Sequence, residues 1–206
     1  MNYLETVTGQ LVDIQNPDPS TINIEDIAWG LSRMPRFCGH TITIVPYSVA
    51  QHSMFVADEV KSMLGQYPNI NNSSDYYDIL LKALLHDAAE VYTGDLPSPM
   101  KRIPELRPII KQIEAGLDKA IYEAFNLTPM TQGEVELIKS ADLIAQKIEA
   151  HAFMVSRGKN WPGLPEVSLE RLQQFEQPLD SLTSYKLFMD QFNCLQKDRT
   201  KYLHKE

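Results

Sequence analysis

Apolar positions recur with helical spacing along most of the chain, and the breaks in that spacing divide it into elements. Val49, Phe55, Val56, Val60 and Leu64 accompany Ser48-Val49-Ala50-Gln51, which has the S-x-x-Q form of a capping box, and predict a helix from about Tyr47 to Leu64. Polar Asn69 to Ser74 reads as a loop. Leu80, Leu81, Leu84 and Leu85 then make a helix over about Tyr77 to Val91 apolar enough to be central. Gly94, Pro97, Pro99 and Pro104 interrupt the pattern. Two longer helices follow, about Glu105 to Phe125 and Thr131 to Ser156, separated by Asn126 to Met130. A Gly158 to Pro165 loop leads to a short helix and a last one from about Ser181 to Leu203, with Lys and Arg enriched toward its end as the helix dipole favours. At the other end of the chain, β-branched residues around Thr8-Gly9 predict a short hairpin within Tyr3 to Ile14. Ser20 or Asn23 caps a helix over Glu25 to Arg33 that Pro35 stops. Arg36 to His40 reads as a loop and Thr41 to Val45 as extended chain. Without repeats or low-complexity tracts, residues 1–206 are expected to form a single all-α helical bundle with a short N-terminal β-hairpin.

Composition narrows the classes. With 43% apolar and 22% charged residues the chain is an ordinary globular one. Its net charge of −8 has the wrong sign for a partner of nucleic-acid polymers or anionic membranes. No run of about 18 apolar residues and no basic-then-apolar N-terminus occur, so a cytoplasmic protein is expected. Cys38 and Cys194 stand far apart, which excludes a disulfide scaffold or a cysteine-rich zinc module. Any metal must therefore be held by histidine and carboxylate.

Such residues fall on three of the predicted helices: His52, the pair His86-Asp87, and Asp142. Each sits among apolar helical neighbours. Val49, Phe55 and Val56 flank His52 at i−3, i+3 and i+4, the leucines precede His86-Asp87, and Ile138 and Ala145 share the face of Asp142. An ionised Asp buried without a partner costs several kcal/mol, so something must compensate it. Taken singly, each residue is better read as a hydrogen-bonded core polar group. Taken together, two neutral imidazoles and two carboxylates suit one borderline divalent ion such as Mn, Co, Ni, Zn or Fe, with the negative charges balancing the metal. On a continuous helix Glu90 would share a face with His86 and Asp87, where a carboxylate can exchange protons with water activated by the metal. Asp95, after the Thr93-Gly94 turn, is either a second proton-handling group or a turn former.

In order, these residues are His52, then His86-Asp87-Ala-Ala-Glu90-Val-Tyr-Thr-Gly94-Asp95-Leu-Pro-Ser-Pro-Met-Lys101, then Ser140-Ala141-Asp142. The series resembles the HD-domain metal-dependent phosphohydrolases, and within them the bacterial 5′-deoxynucleotidase branch with its related phage deoxynucleoside triphosphate hydrolases. The resemblance spans about Ile24 to Ala150. It implies one divalent transition metal held by His52, His86, Asp87 and Asp142, catalytic acid, base or water-positioning roles for Glu90 and Asp95, a phosphate-binding Arg36, and Lys101 beside the phosphate. Where these nucleotidases carry an aromatic residue next to the arginine, often Trp, this chain has Phe37, which keeps a ring against sugar or base but loses the indole donor. HD enzymes with two-metal sites use further histidines between the pair and the last aspartate, and here none lies between His86 and His151. His40 is read as a structural residue near Arg36, and His151 and His204 are given no role.

The implied activity is release of phosphate from deoxynucleoside monophosphates. The alternative is a triphosphohydrolase acting on dATP-type substrates, since Arg36 to His40 and the N-terminal segment are similar to phage-type homologues. A nucleotide-binding module with a structural metal is a further class, disfavoured by Glu90 and Asp95, and a helical interaction protein with satisfied core polars is another. The apolar Leu182, Leu187, Phe188, Phe192 and Leu195 of the last helix suit either a core or a homodimer interface.

Overall fold

The computed structural model describes residues 3–65, 73–175 and 177–203. It is mostly helical, with one small antiparallel ribbon at the N-terminus. Strands β1 (Tyr3–Glu5) and β2 (Leu11–Asp13) pair with Leu4 opposite Val12, joined by a turn in which Gly9 takes φ +83°. The side chain of Asp26 reaches back from the first helix, accepting from the Thr8 amide at 2.9 Å and the Thr8 hydroxyl at 2.7 Å, and so fixes the ribbon.

Helix α1 (Ile24–Arg33) is capped by Asn23, whose side chain accepts from the Glu25 amide. Helix α2 (Val49–Leu64) starts on Ser48, which accepts from the Gln51 amide. Helices α3 (Ser74–Leu84), α4 (Glu90–Thr93), α5 (Ser98–Lys101), α6 (Arg107–Ala124), α7 (Gln132–Phe153), α8 (Leu169–Leu172) and α9 (Ser181–Leu203) follow. A complete capping box, Thr131 with Glu134, opens α7. Most of the Asn69 to Ser74 loop expectation, and His204, lie outside the described residues.

Helix α2 is the axis of the packing. It contacts α1, α3, α7 and α9, and its buried Val49, Ala50, Val56, Ala57 and Val60 join Leu81, Leu84, Ala141, Ala145 and Phe188 in the core. Val12 from the ribbon enters the same core. Polar ties hold the later chain to this axis: Gln51 donates to the Gln177 carbonyl and accepts from the Leu179 amide, Arg171 pairs with Glu59, and Arg199 pairs with Asp78. Lys82 is almost fully buried, its ammonium donating to Glu134 at 2.6 Å and to Thr128 at 3.0 Å. Among the described residues, no helix is long and apolar enough to cross a membrane.

Two expectations need correction. Thr41 to Val45 is a chain of bends and pairs with no strand; the Ile42 amide instead donates to the Phe153 carbonyl at 2.9 Å. The continuous helix from Tyr77 to Val91 is broken. Regular α3 ends at Leu84, residues 85–89 form tight turns, and α4 resumes at Glu90. Within the break Nδ1 of His86 donates to the Ala83 carbonyl, the Ala88 amide to Leu85 and the Glu90 amide to Asp87, so local three-residue bonds replace the helical ladder. Glu90 therefore reaches the His86-Asp87 region through a turn, not along a helical face.

Candidate metal centre and catalytic cavity

His52, on the α7-facing side of α2, is fully buried. Its Nδ1 lies 2.7 Å from Oε1 of Glu149, and its Nε2 faces Asp142 Oδ1 at 3.2 Å and Asp87 Oδ2 at 3.5 Å. Asp142 and Glu149 are seven residues apart on α7, two turns along one face, so the ring spans both. The break after α3 brings in His86, whose Nε2 is 3.4 Å from the same oxygen of Asp87. Ligand-type atoms of His52, His86 and Asp87 all lie within 4.8 Å of one another, and Asp142 joins them through His52.

The tautomers follow from the acceptors. A carboxylate and a backbone carbonyl can only accept, so both imidazoles carry their proton on Nδ1 in the neutral state and present a bare Nε2 to the cluster. Neither Nε2 makes a hydrogen bond, although both are buried. Buried polar atoms are otherwise paired as a rule. These two nitrogens and the Asp87 carboxylate converge, and with Asp142 beside His52 they offer the nitrogen and oxygen donors that suit a borderline divalent cation. The residues fit the ion.

Charge at this point is dense. Burial disfavours ionised Asp87, but His86, His52 and Arg36 outweigh it and hold the carboxyl below its usual range. Asp142 and Glu149 are likewise held low against burial, chiefly through His52. Burial and Arg36 oppose protonation of His52, yet Glu149 and Asp142 win and push it up to about 10 in the ion-free protein. In that state a proton stands where the cluster calls for a cation.

Arg36 is placed by the loop between α1 and α2. Pro35 bridges to Ser48, and the Arg36 amide donates to the Tyr47 carbonyl at 2.8 Å. The guanidinium lies 3.5 Å from Asp87 and 3.7 Å from Glu149, and 5.5 Å from the centre of the Phe37 ring. Phe37 and Cys38 both adopt left-handed backbone, at φ 56° and 52°, a strained state for such side chains.

A cavity of about 680 Å³ opens over this cluster. Glu90, Asp95 and Lys101 line it beside Asp87, Asp142 and Arg36. Gly94 closes α4 with φ 84° and ψ 154°, a conformation essentially reserved for glycine, and turns Asp95 into the lining. Behind α4, Gly30 on α1 admits Val91 so closely that an added Cβ would stand 2.8 Å from its methyls. Lys101 engages two carboxylates, Glu90 at 3.1 Å and Glu114 at 3.0 Å. Burial, then Asp87 and Asp95, nevertheless push Glu90 up to about 8, and Asp95 is also raised, by burial first. Next to Glu114, Asp118 is pushed up to about 7 by burial and by that neighbour.

Sequence reasoning overlooked three features. Glu149, which orients His52, is marked by its place two turns after Asp142 in an apolar stretch. Glu114 is the second partner of Lys101. Trp161 lines the cavity and meets Phe37 edge to face, with ring centres 5.6 Å apart. An indole is therefore present after all, supplied by the loop after α7. His40 also lines the cavity, while His151 is not among its lining residues.

The chain is similar to several known proteins. The chain is 31% identical over 202 residues to the Uncharacterized protein YfdR of Escherichia coli, covering 97% of this chain and 98% of that one. It is 28% identical to a 5′-deoxynucleotidase of Pasteurella multocida, over 62% of this chain and 72% of that protein, and 35% identical to one of Vibrio parahaemolyticus over 37% and 40%. Residues 30–194 match the 5′-deoxynucleotidase YfbR-like family, a span that takes in Arg36, the histidine and aspartate cluster and Trp161. This chain belongs to the 5′-deoxynucleotidase YfbR-like family.

Proposed function

We propose that this chain is a metal-dependent 5′-deoxynucleotidase that converts deoxynucleoside 5′-monophosphates to deoxynucleosides and phosphate, with residues 1–206 acting as one HD domain. His52, His86, Asp87 and Asp142 would hold one divalent transition ion, with Glu149 and the Ala83 carbonyl fixing the two imidazoles. When bound, such an ion neutralises phosphate charge and makes water a stronger nucleophile near neutral pH.

The observation that favours a monophosphate is the charge of the cavity wall. Arg36, Lys101 and Arg102 face Asp87, Glu90, Asp95 and Asp142, and the first two cations are already engaged by carboxylates. With one divalent ion added, the three cations and the ion outweigh the four carboxylates by one positive charge, nearer to the charge of a single phosphate than to that of a triphosphate, and Arg102 is the one wall cation outside an ion pair among the described residues. Arg36 stands next to Asp87 and Phe37, where its guanidinium can bind phosphoryl oxygens. Water attacks phosphorus, the bond to the 5′ oxygen breaks, and that oxygen takes up a proton while the water loses one. Glu90 and Asp95 are the groups to carry these protons. Glu90, pushed up to about 8, is able to hold a proton near neutrality, and Asp95 is raised as well. Lys101, gripped by Glu114, holds Glu90 in place.

Product analysis tests the reading: purified protein with Mn or Co is offered dAMP and dATP separately, and phosphate, pyrophosphate and triphosphate are resolved. Phosphate from dAMP with dATP intact is expected. Triphosphate and deoxyadenosine from dATP would overturn the monophosphate assignment.

A further inference from the structure

The acidic and basic groups of the cavity cluster toward His52, and another part of its wall is apolar. Phe37, Met154, Trp161, Pro162 and Leu164 form that part. Except for Phe37, they come from the end of α7 and the loop that follows it. This loop is built and braced. The Arg157 amide donates to Met154, Lys159 to Ser156 and Trp161 to Gly158, and Gly158, at φ 66°, packs so tightly on α7 that an added Cβ would stand 3.0 Å from that of Ala150. Arg157 is also left-handed, at φ 52°. Successive turns thus fold the indole back over the cavity.

The planes of Trp161 and Phe37 meet at 66°. Two rings set this way form a corner: a flat heterocycle laid on one meets the edge of the other, and both stacked and edge contacts are favourable for aromatic pairs. Beside these rings and the charged residues the wall carries Gln146, one helical turn and about 6 Å along α7 from Asp142. It also lines the cavity, and its carboxamide makes no hydrogen bond among the described residues. The wall therefore offers charged, amide and aromatic surfaces, the kinds of chemistry that phosphate, sugar and base call for.

We propose that Trp161, with Phe37, is the seat of the nucleobase, so that the loop after α7 selects nucleotides over simpler phosphate esters. This rests on the nucleotidase reading and adds a specificity-determining residue to it. The chain has 2 tryptophans, and Trp29 is not among the cavity's lining residues but is stacked on Tyr185 at 4.1 Å between α1 and α9. In Trp29→Phe protein the indole emission therefore reports Trp161 alone, and it needs neither metal nor turnover. Titration with 2′-deoxyadenosine or dAMP is expected to quench it, and 2-deoxyribose 5-phosphate is not. In the otherwise native enzyme, Trp161→Ala should narrow the preference in kcat/KM for dAMP over 2-deoxyribose 5-phosphate by about tenfold, in keeping with the stacking of one base on one aromatic ring. Trp161→Phe should retain most of that preference. Emission indifferent to the deoxynucleoside, or an unchanged preference in Trp161→Ala, would overturn the seat. Failure of the hydrolytic reading looks different: no phosphate from dAMP, whatever the emission does.

Discussion

At the floor of the cavity nearly every charged group is held by another, whereas at its mouth the side chains touch through apolar surface. His52 is held at Nδ1 by Glu149 and faces Asp142 with Nε2, Asp87 faces two imidazoles and a guanidinium, and Arg36 lies between two carboxylates. Phe37, Trp161 and Leu164 are half-buried, and the two rings meet edge to face. A position in the floor is set by several partners at once, so removing one disturbs the rest. A position in the mouth is set by shape, and substitutions there should change what is bound more than whether chemistry occurs.

The strongest test of that contrast removes a donor from the floor. His86→Ala or Asp87→Ala should lose metal and phosphatase activity together, read by metal analysis and phosphate release; full activity in either would refute the assigned ligand set. Glu90→Gln should separate the two properties, keeping metal while turnover falls by about 10²–10⁴-fold, the usual contribution of a positioned proton-transfer group. Unaltered turnover would remove Glu90 from the mechanism. Glu149→Gln leaves all four ligands in place but weakens the grip on His52, so metal affinity should fall by about 10–100-fold in a titration. Phe37→Ala belongs to the mouth and should shift the ranking of deoxynucleotides several-fold at constant metal content; equal losses on every substrate would argue that its ring serves the floor.

The smallest effect is on stability and pH. Folding raises His52 from an ordinary value of 6.5 to about 10 in the ion-free protein, where burial and Arg36 are outweighed by Glu149 and Asp142. The stabilisation from that proton is complete below the unfolded value and drains away as pH rises through about 10. A metal needs the same Nε2 bare. The rise in Tm on adding Mn should therefore be larger at about pH 8 than at about pH 6, by a few degrees in a thermal melt. A metal-induced shift that shrinks with pH would contradict competition at His52.

Much of the architecture was legible because helix signals are local. Ser48 with Gln51 marks the start of α2, and the N-terminal hairpin appears around the predicted turn. All four proposed ligands, His52, His86, Asp87 and Asp142, could be singled out from residue type and apolar surroundings; the first three converge in space, and Asp142 reaches them by way of His52. What remained hidden depends on tertiary geometry. The break after Leu84 contains no proline or glycine, and its turn bonds arise where His86 takes a backbone carbonyl for its own Nδ1. Glu149 shares a helical face with Asp142 in an apolar stretch, but its partner is settled only when His52 is seen against it. Trp161 reads as part of a Gly- and Pro-rich loop, and only the fold brings it to Phe37, 124 positions earlier in the chain.

The run from Asp142 through Glu149 to the loop bearing Trp161 gives one stretch of polypeptide two separable inheritances. Within α7 a change of residue is constrained by the buried groups on neighbouring helices, so this portion should drift slowly. Beyond Phe153 the chain leaves the helix, and insertions or exchanges between Met154 and Pro165 can alter the mouth without changing the spacing of Asp142 and Glu149. Descendants of such a scaffold can diversify their diet by rewriting about a dozen consecutive codons while the reaction beneath stays the same.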